Sequence, residues 1–381
     1  MTDRSKLVFG VIGDIQTNNA PCMAGVTSVA TTLRRFGATA VLVGDTREWR
    51  LVDLPDDDAF DLGAACRAAF AEKKATVELL RKDGVPFVLC NTKALTEEDR
   101  QGFFSREAHM LQSAPVFFFA QLRHPKGTVF GDFIDGQDGG ISTQTLNGFA
   151  NAVAVSTGCC GPLTDERAIG QGRFTSVSSG AFRRSVLLAG RENSEEAHPI
   201  RNRHGLVVSV YDNRVVFARV ALKSGERLGA DWVLSFADRE SLSVERRRRM
   251  SRVPEFASAA KVTVNFVAGK TPKGEAADLV RVAFPTATPV RAYEYEVTAV
   301  CAEGGVEAVV AQKRVYSRGV VLPPEAEPAE TTCDFARNEL YHDVPLRFEV
   351  RPVDSFGRKG RAISVERTVK SALHGGKGER A

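Results

Sequence analysis

The chain has 381 residues, 43% hydrophobic and 26% charged, the balance of a folded globular chain long enough for two domains, which excludes a fibrous or wholly disordered architecture. Its net charge of +4 is spread along the sequence and gives no basic face for nucleic acid or an anionic membrane. Seven irregularly spaced cysteines argue against a disulfide framework and for a reducing compartment, so a cytoplasmic protein is expected.

No stretch approaches the roughly 20 apolar residues of a membrane span. The start, MTDRSKLVFG, carries neither a leader nor a transit pattern, and a soluble chain beginning here is the expectation. LVFGVIG, from Leu7, ends in Asp14, and ATAVLVG, from Ala38, ends in Asp45; SVATTLRRFG between them has helical spacing, which makes a β-α-β unit. A helix-like stretch over Ala64 to Lys82 leads to GVPFVLC and Asn91, and APVFFFAQ and NAVAVS give two further strands. Continuous apolar runs mark strands covered on both faces, as in a layered α/β domain whose ligands gather at the strands' carboxyl ends.

After Gly172 the pieces FTSVSSGAF, HGLVVSVYDN and RVVFARVAL read as antiparallel strands that complete the first domain. The expected divisions are 1–236 for this domain, 237–258 for a charged linker, 259–368 for an all-β sandwich and 369–381 for a disordered tail. Within the linker, Arg246 to Arg249 reads as a solvated run before a phosphate-binding patch. Most cysteines read as buried hydrophobes, and the Cys159–Cys160 pair as packing before a soft-metal or redox site.

Asp14, Asp45 and Asn91 are oxygen ligands at three successive strand ends, a pattern that suits a divalent cation. For any one of them, capping a helix or shaping a turn is the stronger reading. Their order and the text around them resemble the calcineurin-like metallophosphoesterases, whose blocks run D-x-H, GD, GNH, a strand-end His, then G-H-x-H. GDIQ matches the first block with Gln16 for His, VGDT the second, and CNTK the third, with Asn91 kept and Thr92 in place of the histidine. QLRHPKG resembles the strand-end block with Leu122 at the ligand position and His124 two residues on. VAVSTGCCGPLTDER resembles the last block, with Gly158 and Cys160 at its two histidines.

The resemblance covers about the first 235 residues and implies a metallophosphoesterase-type β-sandwich core flanked by helices. The C-terminal part is similar to an immunoglobulin or fibronectin type III-like accessory domain. In such a family two metals share a bridging carboxylate, here Asp45, and activate a water for in-line attack on a phosphoryl group. Leu122 and Gly158 supply no donor, and Thr92 removes an acid or phosphate contact worth about 10²–10⁴ in rate. The residual metal candidates are Asp14, Gln16, Asp45, Asn91 and Cys160, enough for one Zn, Mn or Fe ion or for none, and Arg123 and His124 are candidate anion contacts.

The leading expectation is therefore a pseudoenzyme that acts by binding a protein partner or a phosphorylated small molecule, with no residue assigned a catalytic role. The alternative is a phosphoesterase hydrolase with a remodelled mononuclear site that recruits His124 or His204; a third is a structural subunit of an assembly. His109, His198, His204 and His342 lack ligand spacing and otherwise read as structural.

Overall fold

A computed structural model describes residues 4–45, 48–72, 76–90, 96–121, 124–125, 127–128, 143–157, 162–180, 182, 203–270, 276–288, 290–303, 306–321 and 329–371. These residues form a mixed α/β chain in which strand predominates. The main division falls between Ser251 and Arg252, and each unit has its own core.

In the first unit the described elements run β1 (Leu7–Ile15), α1 (Ala20–Ser28), α2 (Ala30–Arg35), β2 (Ala40–Asp45), β3 (Trp49–Asp53), α3 (Leu62–Ala71), β4 (Val77–Lys82) and β5 (Val85–Cys90). Then follow α4 (Glu97–Ser113), β6 (Phe117–Gln121), α5 (Thr143–Leu146), β7 (Ala152–Ser156), β8 (Ile169–Gln171) and β9 (Thr175–Ser178). The unit closes with β10 (His204–Val210), β11 (Arg214–Ala221), β12 (Glu226–Arg227), β13 (Trp232–Ser235) and α6 (Val244–Met250).

Two sheets result. One has the order β12-β11-β10-β1-β2-β3, with β13 also on β11; the other has the order β4-β5-β6-β7-β9-β8. Phe9, Leu42, Phe87, Phe118 and Val155 pack between them, and the Phe9 ring meets Phe87 and Phe118 edge-on at 5.1 and 4.9 Å. Alternate residues of the same strands, Val41 and Val43, face Val26, Leu33 and Leu62 of α1, α2 and α3. On the other side Phe117 and Phe119 face Phe104 and Leu111 of α4 and Leu146 of α5. The layers are helix, sheet, sheet, helix, which is why the inner strands lack alternation: both faces are buried.

Three expectations are corrected. The stretch 64–82 is helical only as far as Ala71; Val77–Lys82 pairs antiparallel with β5 across Asp83 and Gly84, both at positive φ (48° and 78°), the conformation of a two-residue hairpin turn. β9 runs parallel to β7 and is antiparallel only to β8, with Val177 in the same inter-sheet core as Val153 and Val155.

The third concerns the expected linker, which as far as Ser251 is part of the first unit. Buried Arg219 pairs with Glu166 at 2.8 Å and stacks over Trp232, whose Nε1 donates to the same carboxylate. Arg247 on α6 also pairs with Glu166, at 3.2 Å, and donates to the Ile169 carbonyl. Arg246 is taken up by Asp238, whereas Arg248 and Arg249 are exposed, 3.9 Å from the equally exposed Glu245, so the solvated reading of the run holds for these two and not for Arg247.

The second unit contains β14 (Thr263–Lys270), β15 (Ala276–Pro285), β16 (Glu294–Glu303), β17 (Val306–Tyr316), β18 (Glu330–Ala336), β19 (Pro345–Val353) and β20 (Ile363–Thr368). They form antiparallel sheets of order β14-β15-β18 and β17-β16-β19-β20 around Val280, Phe284, Tyr295, Val297, Phe335 and Phe348. The Tyr295–Val297 alternation is the inward face, and the Tyr295 hydroxyl accepts from the Ala287 amide at 2.9 Å. No helix among the described residues is long and apolar enough to cross a membrane.

Candidate functional site

The two sheets of the first unit pack tightly at the carboxyl ends of β1, β2, β7 and β9. A Cβ on Gly13 would lie 1.9 Å from Ser179 Oγ and 2.8 Å from Thr157 Cγ2, and one on Gly44 would lie 2.6 Å from the same Thr157 methyl. Only glycine permits this approach. The residues that follow, Asp14 and Asp45, are thereby set at the mouth between the sheets.

Asp14 adopts φ +58°, the left-handed region that an L-residue enters at a cost. It does so where β1 slips out of register with β2: pairing runs regularly to Ile12–Val43 and resumes at Ile15–Asp45. Such a bulge re-aims a side chain at a strand end. Asp45, 9% exposed, accepts from Thr17 Oγ1 at 3.3 Å. Gln16 donates its backbone N–H to Cys22 Sγ at 3.4 Å, which ties the loop after β1 to the first turn of α1, where the Asn19 carboxamide caps the Cys22 amide at 2.9 Å.

Across the mouth the facing sheet contributes hydroxyls. Thr157 follows β7 and Ser179 follows β9; both are buried. The candidate donors among the described residues, Asp14, Asp45 and Gln16, all offer side-chain oxygens, the donor type of a hard divalent cation. No cluster of three His, Cys, Asp or Glu side chains placed to share a metal occurs among the described residues. Asn91, Thr92, Leu122, Arg123, Gly158 and Cys160 lie outside the described residues.

His124, a candidate anion contact in the sequence, is buried. It is 1% exposed, with Nδ1 3.1 Å from Ser176 Oγ, and burial pushes it down to about 3, so at neutral pH the ring is uncharged. His204, at the start of β10, is equally buried and pushed down to about 4 by the same cause. By pleat alternation with Leu206 and Val208 it points between the sheets, and its Nδ1 has no hydrogen-bond partner. In the sequence it enters only as a ligand that the mononuclear alternative could recruit, without ligand spacing of its own. The only local signal is a histidine at a position where the strand's other inward residues are aliphatic.

A buried polar row crosses the second sheet at Gln121, Ser156 and Ser178, in register and each fully buried. Cys22, Cys66, Cys90, Cys301 and Cys333 are buried free thiols, and burial raises Cys66 to about 12 and Cys90 to about 11, so these two are inert. The chain finds no match among family models, curated proteins or solved structures.

Proposed function

We propose that the first unit is a metallophosphoesterase-like domain whose dinuclear centre is degraded and which acts by binding, with the second unit an immunoglobulin or fibronectin III-like sandwich that makes contacts. The observation that carries this reading is the strained Asp14, φ +58°, one step from Asp45 at the mouth between two sheets whose opposite wall presents Thr157 and Ser179. A left-handed aspartate at a strand end is the sort of cost that folds keep at working sites.

The layer order of helix, sheet, sheet, helix and the parallel β5-β6-β7-β9 run support the family assignment; the weakened donor set supports the loss of hydrolysis. A cation held by Asp14 and Asp45 would supply Lewis-acid polarisation of a phosphoryl oxygen. The protein's own residues would orient it: Thr17 fixes one Asp45 oxygen, and the bulge after Ile12 fixes Asp14. With too few donors for a second ion, the two-metal clamp on attacking and leaving oxygens would be lost, and a phosphorylated ligand would be held without being cleaved.

Metal analysis of the purified full chain, native and Asp14→Ala, tests this. At most one tightly held ion per chain is expected. Two ions per chain, both lost in Asp14→Ala, would overturn it.

A further inference from the structure

On the outer face of the second sheet, away from the Asp14–Asp45 mouth, lies a cavity of about 370 Å³, within the range of small-molecule sites. Ser176 and Phe174 place it there: Phe174 belongs to the outer core with α4 and α5, whereas Val177 faces inward. Its floor is the Ser176 hydroxyl, whose position is set by the buried His124 ring at 3.1 Å.

Thr128 and Asn147 add polar groups from the chain around α5, and Phe174 and Val244 add apolar wall. None of the described lining residues is acidic and two are arginines. Arg167 is held by a two-point contact to Asp165, at 3.0 and 2.7 Å. Arg173 has no carboxylate partner among the described residues and is exposed at the rim, beside Gly172, where a Cβ would meet open space.

We propose that this cavity binds a small organic anion, a phosphate monoester or carboxylate joined to a flat apolar group, with the anion on Arg173 and the apolar group against Phe174 and Val244. Arg173 brings a cation and Asn147 an amide, and the described lining holds no carboxylate, which favours an anion over a neutral or cationic ligand. The site shares no residue with the Asp14–Asp45 mouth and stands or falls apart from the proposed function.

Calorimetric titration of the full chain with phenyl phosphate, and separately with phenol and inorganic phosphate, is the test. Saturable binding of phenyl phosphate, tighter than either fragment, is expected, with a loss of about tenfold in Arg173→Ala, the worth of one charged hydrogen bond. Asn147→Trp, which fills the cavity, should abolish binding, while Asp45→Ala leaves it unchanged. Absence of saturable binding by the native chain would overturn the proposal. So would binding that survives both Arg173→Ala and Asn147→Trp in folded protein, or that vanishes in Asp45→Ala.

Discussion

Asp14 stands in left-handed backbone at the point where β1 leaves its register with β2, immediately before Ile15 resumes pairing opposite Asp45. Asp14 and Asp45 therefore stand at the carboxyl ends of two neighbouring parallel strands, with Asp14 absorbing the slip between them. Glycine tolerates that conformation and alanine does not, so Asp14→Gly is expected to be more stable than Asp14→Ala by about 1 kcal/mol. Urea denaturation of the two variants measures the difference, and both should lose whatever cation affinity the native chain has.

Gly13→Ala drives a methyl into Ser179 and Thr157. Because both neighbours are buried between packed sheets, the expected loss is about 3 kcal/mol, the upper end for overpacking. Ser179→Gly in the same chain should recover part of it, since it removes the nearest atoms. A chemical denaturation midpoint for the double variant no better than for Gly13→Ala would contradict the close approach.

The buried histidines predict a pH response. Each is pushed below its ordinary value, His124 to about 3 and His204 to about 4, so the unfolded chain binds protons that the folded chain refuses. Stability should therefore be flat above about pH 6.5 and fall as the pH drops, by roughly 2 kcal/mol per histidine on reaching about pH 5. His204→Leu should flatten its share of the slope, measured as unfolding free energy against pH.

Glu166 holds two guanidinium groups, Arg219 and Arg247, and the Trp232 indole. Glu166→Ala leaves buried Arg219 without its counter-charge, at a cost of about 3–5 kcal/mol. It also unpins α6, so tryptic cleavage within Arg246–Arg249 should accelerate relative to the native chain.

Much of this fold was legible. Strand runs ending in Asp14 and Asp45 were readable because residues buried on both faces give unbroken apolar text. The hairpin at Asp83–Gly84 was missed although Asp-Gly is a strong local turn signal, because the preceding Val77–Lys82 also satisfies helical spacing. The docking of α6 was hidden since an arginine run looks solvated until Arg247's partner Glu166, some 80 residues earlier in the chain, is known. His124 read as an exposed anion contact for want of the same long-range information: Ser176 lies 52 residues on.

The most direct test of the central claim is hydrolysis of bis(p-nitrophenyl) phosphate by the purified full chain with Mn²⁺, native against Asp45→Ala. The degraded centre predicts no turnover above buffer, and no difference between the two proteins. Turnover by the native chain that disappears in a folded Asp45→Ala variant would contradict it.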